Sequence, residues 1–169
     1  KGEVLFLTRQ GSMGFSNPVA YPSLNGITSM SSVRLPSKAV GLLVLSPEEN
    51  LVGLSHFKGE KGESKGNFDF PVPIPVKGEA LDAFCLDVDG DETDEIVLVV
   101  EERSDFSMQV WQVKGRKSFA LLSETELEFR REPSGCFPCL IDGDESMDLL
   151  VLSEREPSLV LLNQGEGKF

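Results

Sequence analysis

Several chemistries are ruled out by what this chain has too little of. Histidine occurs once in the 169 residues, as His56, inside the apolar phrase Leu54-Ser55-His56-Phe57 that reads as a packed strand. Cysteine occurs three times, and an odd count cannot be a complete set of intrachain disulfides. Cys136 and Cys139 form a CxxC string, but zinc needs two further ligands, and a redox motif should open a helix after a strand. The two cysteines therefore read as thiols buried in a strand. Cations are scarce, 16 Lys and Arg against 28 Asp and Glu, and the net charge of −12 opposes nucleic-acid binding. It permits divalent cations or a basic partner, and it also serves plain solubility. Apolar runs such as Ile96–Val100 fall far short of the ~20 residues of a membrane span. The opening Lys1–Val4 has no apolar core of the signal-peptide kind. Nucleophile-elbow and phosphate-loop motifs are missing, and so is any catalytic constellation, so a non-enzyme is expected. Helical periodicity is nearly absent: only Ser123–Arg131 offers a helical turn, without an apolar stripe.

What the chain does have is an internal repeat. Phenylalanines at Phe15, Phe68, Phe119 and Phe169 recur at a period near fifty, three of them in a Gly-containing turn phrase. Each follows an alternating apolar run: Val4–Leu7, Leu51–Leu54, Met108–Trp111 and Leu159–Leu162. A second phrase keeps the same period. Residues 87–99 read DVDGDETDEIVLV, 140–152 read LIDGDESMDLLVL and 33–45 read VRLPSKAVGLLVL. The apolar tail persists in all three while the acidic head is full, partial and absent.

A period of this length with short β-rich runs between Gly, Pro, Ser and Asp breaks suggests four-stranded units. The middle unit predicts strands at Ala83–Leu86, Glu95–Glu101, Ser107–Val113 and Ser118–Ser123, with a tight turn at Lys114–Arg116. The expected fold is all-β: β-propeller blades of four antiparallel strands, about three of them, over residues 16–68, 69–119 and 120–169, with 1–15 closing a preceding blade. Three blades leave two flanks bare, so further blades of a larger ring, or a second copy, are expected partners. The repeated Phe is expected to pack between blades. Alternating Pro71, Pro73 and Pro75 predict an outer edge strand, and Gly59–Gly66 a charged hairpin tip. Gly11–Gly14 is expected to be a hairpin turn.

The acidic head places six carboxylates among the nine residues Asp87–Glu95. Asp87, Asp89, Asp91 and Glu95 hold positions 1, 3, 5 and 9, Gly90 lets the loop curl, and the Thr93 carbonyl stands at position 7. Alternate oxygens converging on one point make a cage for a hard cation, with Ca²⁺ as the expected cofactor. An EF-hand is excluded, because position 6 is Glu92, position 12 is Leu98 and both flanks read as strand. In the third unit Asp142, Asp144 and Asp148 hold positions 3, 5 and 9, with the Ser146 carbonyl at 7, but Leu140 occupies position 1. That site is expected to be weaker. The first unit, Val33–Val40, has lost every carboxylate and should be held by Pro36 and local packing. A metal-free turn capped by Asp–backbone hydrogen bonds is the competing reading of these loops.

The pattern Asp-x-Asp-Gly-Asp-x-x-x-Asp/Glu before an apolar strand, with a Gly-x-Phe phrase once per period, resembles the FG-GAP/VCBS repeat of integrin α-chain-like propellers and many secreted bacterial proteins. The resemblance covers nearly the whole chain and implies a ring of seven blades. It implies Ca²⁺ held between the first two strands of a blade by Asp87, Asp89, Asp91, Thr93 and Glu95. It also implies an extracellular, cell-surface or periplasmic module for adhesion, or for recognition of a protein or carbohydrate. The alternatives are a propeller scaffold for a polysaccharide-acting hydrolase or lyase, and a structural spacer. Ligand-binding loops are sought at Ser46–Asn50, Glu101–Asp105 and Ser153–Pro157, where Arg103 and Arg155 occupy similar places.

Overall fold

The structure, a computed structural model, describes residues 2–12, 14–59 and 66–169. Met13 of the first hairpin turn and residues 60–65 of the charged hairpin tip lie outside the described residues. The fold is all-β, and no helix occurs among the described residues. Sixteen strands follow in order among the described residues: β1 (Glu3–Phe6), β2 (Arg9–Gln10), β3 (Gly14–Phe15), β4 (Val19–Pro22), β5 (Ser29–Arg34), β6 (Val40–Ser46), β7 (Leu51–Lys58) and β8 (Asn67–Phe68). Then come β9 (Val72–Pro73), β10 (Glu79–Leu86), β11 (Glu95–Glu102), β12 (Asp105–Gly115), β13 (Ser118–Leu127), β14 (Gly135–Cys139), β15 (Asp148–Leu152) and β16 (Leu159–Leu161).

Three antiparallel sheets carry most of the chain. The first is β5-β6-β7, with β8 and β9 both pairing β7; the middle is β10-β11-β12-β13; the third is β14-β15-β16. Pairs β1–β4 and β2–β3 form two smaller sheets. All pairings are antiparallel, and apart from β1–β4 and β7–β9 they join chain neighbours through short connections.

The middle sheet shows why its strands read as unbroken apolar runs. Side chains alternate across a strand, so β11 sends Ile96, Leu98 and Val100 to one face and Val97 and Val99 to the other. The first face packs on Val33, Leu43, Leu45, Val52 and Leu54 of the first sheet. The second packs on Cys136, Leu149 and Val151 of the third. A strand covered on both faces has no polar side to show. Truncating its central residue, Leu98→Ala, would cost about 2–5 kcal/mol.

Two expectations needed revision. Ser123–Arg131 makes no helical turn: residues up to Leu127 extend β13, pairing as far as Phe106↔Leu127. The long β12 offers a backbone ladder and a place for Leu127 in the core, which outweighs a weak local preference. Phe15, expected to pack, is largely exposed. The other three repeated phenylalanines do pack. Phe68 lies 5.8 Å from Phe6 and 5.9 Å from Tyr21 between ring centroids, and Phe119 and Phe169 join the two cores. Gly66 beside Phe68 is obligatory, since a Cβ there would meet the Phe57 ring at 1.6 Å.

The proline-rich stretch lies at the outer edge as expected, with Val72↔Leu54 and Pro73↔Gly53. Cys136 and Cys139 are three apart on β14 and so point to opposite faces, and both thiols, like that of Cys85, are free. Burial pushes the Cys85 and Cys136 thiols up to about 12, which leaves them unreactive. His56 sits half-buried in β7, where burial lowers its pKa despite nearby Asp69.

Candidate metal centre

The acidic loop joins β10 to β11, so both ends are anchored by a paired strand. Gly90 takes φ +77°, the left-handed conformation the curl needs, and the equivalent Gly143 takes φ +88°. Backbone N–H groups of the curl donate inward. Asp87 Oδ1 accepts from Gly90 at 2.8 Å and Asp91 at 3.2 Å, and Oδ2 accepts from Glu92 at 3.1 Å. Asp89 accepts from Asp91 N at 3.2 Å. These local bonds give the loop its shape, and each leaves carboxylate lone pairs for a second partner.

One oxygen each from Asp87, Asp89 and Glu95 lies within 4.8 Å of the other two. Oxygens around a single Ca²⁺ at ~2.5 Å are at most about 5 Å apart, so this spacing suits one hard cation. Asp91 stands outside that trio: its Oδ1 accepts from the Thr93 N–H at 2.7 Å and from the Thr93 hydroxyl. Those two bonds, the hydroxyl first, draw the Asp91 pKa down. Thr93 thus meets the loop through its side chain and N–H, both on Asp91.

Glu95 is the decisive residue. It opens β11 with its side chain fully buried. Oε2 accepts from Val88 N at 3.2 Å, while Oε1 is buried with no partner. A buried unpaired carboxylate oxygen costs free energy that a cation would recover. Burial, reinforced by Asp89, Asp91 and Asp87, pushes Glu95 up to about 7, against the single bond from Val88. An orphaned oxygen beside two further carboxylates is a donor set that fits a hard divalent ion.

The third loop is built alike but closed differently. Asp148 opens β15, fully buried like Glu95, and Ile141 N donates to its Oδ2 at 2.9 Å, matching Val88 and Glu95. Its other oxygen accepts from Asn163 N at 3.0 Å. These backbone bonds, Asn163 first, hold the Asp148 carboxyl below its ordinary range. Asp144 N donates to Asp142 at 3.1 Å and Ser146 N to Asp144 at 2.8 Å, both on the surface. The first loop closes without carboxylates, through Lys38 N to Leu35 O at 2.8 Å and Leu35 N to Ala39 O at 3.0 Å.

Three residues at these loops escape a reading of the motif. Arg34 reaches from β5 to Asp94 and Asp87; Asp94 answers it; Asn163 fills the third loop. The available signal for Arg34 was a cation at the head of the carboxylate-free loop, one repeat before the most acidic one. Of the opposite-end loops, Arg103 is exposed and pairs only loosely with Glu102, at 4.0 Å. No family model, no curated protein and no solved structure matches the chain.

Proposed function

We propose that the chain is a calcium-binding segment of a β-propeller with FG-GAP/VCBS-type blades. It is non-enzymatic and belongs to a secreted, cell-surface or periplasmic protein. Its task is adhesion, or recognition of a protein or carbohydrate ligand. The observation that carries the metal reading is Glu95: a fully buried carboxylate whose Oε1 has no partner and which lies within 4.8 Å of Asp87 and Asp89 oxygens. Asp87, Asp89, Asp91, Glu95 and the Thr93 carbonyl would hold the ion. Asp142, Asp144, Asp148 and the Ser146 carbonyl would hold a second ion only weakly, because the Ile141 and Asn163 N–H groups already occupy both Asp148 oxygens. A bound Ca²⁺ supplies positive charge that neutralises the crowded carboxylates and stiffens the β10–β11 turn.

The propeller reading draws support from the stacked sheets. Leu150, one repeat after Val97, forms a cross-strand row with Phe137 and Val160 on the outer face of the third sheet. Phe137 and Val160 are exposed there. In the middle sheet the equivalent face is covered by the next sheet, so a further blade or a second copy of the chain is the expected neighbour.

Calorimetry with CaCl₂ tests the metal reading. Wild type should bind with Kd on the order of 10⁻⁴–10⁻³ M, and Asp89→Ala and Glu95→Gln should not. No calcium-dependent heat or rise in Tm at ten millimolar-range excess would overturn it. Glycan-array binding by the calcium-loaded protein tests the recognition half.

A further inference from the structure

We infer that Arg34 sets the cation affinity of the neighbouring acidic loop, as an internal cation supplied by the preceding sheet. This rests on the metal reading above and adds a residue that the loop motif does not contain. Arg34 ends β5, one repeat before the loop. Its Nε and Nη2 lie 2.9 and 2.6 Å from Asp94 Oδ1, and Nη2 lies 3.4 Å from Asp87 Oδ2. The main chains also clasp: Arg34 N donates to Asp94 Oδ2 at 2.6 Å, and Asp94 N to Arg34 O at 2.9 Å. Both oxygens of Asp94 are thereby committed to Arg34.

Asp94 stands between positions 7 and 9 of the loop, outside the Asp87–Asp89–Glu95 trio. Its bonds with Arg34 fix where the loop meets the first sheet. Asp87 belongs to both arrangements: it is a member of the trio and a partner of the guanidinium. Asp94 and Asp87 are mostly buried at 11% and 19% exposure, while the guanidinium side chain is 56% exposed at the rim. The third loop has no such pair, since Val88 holds the place of Arg34 and Met147 that of Asp94.

Two consequences follow from one positive charge at this place. It partly neutralises the loop, so the cage keeps its shape without metal. It also occupies a lone pair of Asp87 and repels an arriving divalent ion. A single charge and a double charge about 5 Å apart in a near-aqueous medium change a binding constant about tenfold. Arg34 is thus a positioning residue that weakens cation binding while ordering the site.

The test compares wild type, Arg34→Gln, Arg34→Met and Arg34→Lys by calcium calorimetry at low and high KCl, with Tm measured in EDTA. Both neutral variants should bind Ca²⁺ about tenfold more tightly at low salt, and the gain should shrink at high salt as screening grows. Arg34→Lys keeps the charge and should stay within about twofold of wild type. In EDTA the neutral variants should melt lower, since the guanidinium bonds to Asp94 and Asp87 are gone. A structural clamp alone would lower Tm and leave affinity unchanged or weaker; either affinity result overturns the inference. Wild type that binds no Ca²⁺ overturns the metal reading and this inference together, whereas wild type that binds beside unchanged neutral variants overturns this inference alone.

Discussion

The loops Asp87–Glu95 and Leu140–Asp148 share a phrase, a curl and a buried carboxylate at the head of the second strand, yet they meet opposite fates. In the third loop Asp148 is saturated by Ile141 N and Asn163 N, so the protein closes the site with its own donors. In the middle loop Glu95 receives only Val88 N and its second oxygen is stranded. Position 1 differs too, an aspartate in one and an exposed leucine in the other. A buried carboxylate must be satisfied by something. One loop finds backbone donors; the other leaves a demand that a cation would meet.

The largest expected effect comes from removing the Asn163 side chain, which braces the third loop, while the Asn163 N–H bond to Asp148 stays. Asn163 donates through Nδ2 to Val88 O at 2.9 Å and Met147 O at 3.2 Å, and its Oδ1 accepts from Gly165 N. Asn163→Ala strands three backbone groups and should cost about 3 kcal/mol. Urea unfolding with calcium and with EDTA should give the same loss if the third loop is metal-independent.

Next comes Glu95→Gln in EDTA. Because the folded carboxyl titrates at about 7 and an ordinary glutamate at 4.5, the folded state binds the extra proton between those values. Stability therefore falls as pH rises across that window and levels off above it. The Gln variant should lack this slope and be about 1–2 kcal/mol more stable at pH 8. A wild-type curve that is flat over the window breaks the contrast between the loops.

Calcium at ten times Kd should then stabilise wild type by about 1.4 kcal/mol and leave Asp89→Ala unmoved, as read by calorimetric Tm. The smallest effect belongs to Leu140→Asp, which restores position 1 on an exposed residue. Stability should change by less than ~0.5 kcal/mol, while the second, weaker calcium event of the titration moves to lower calcium concentration.

Much of this was legible in the chain. Alternating apolar runs placed most of the strands of the three main sheets, and the glycines at 90 and 143 marked curls that do take positive φ. The apolar tails announced sheets buried on both faces, as β11 is. The middle motif named Asp87, Asp89 and Glu95, which the fold gathers, and Asp91, which Thr93 holds aside. Residues 123–131 misled because their local pattern was weak and the partner that made them a strand, β12, is a neighbour only after folding.

The amino-acid order alone determined the β-class, the period near fifty and the positions of the loop carboxylates, because these depend on side-chain alternation and on glycine at fixed spacings. Only the tertiary structure decided which carboxylate is saturated and which is left wanting. Arg34 is 53 residues from Asp87, and Asn163 is 15 from Asp148. Hydrogen-bond saturation is settled by whatever the neighbouring strand or sheet brings within 3 Å, and no local pattern records that distance.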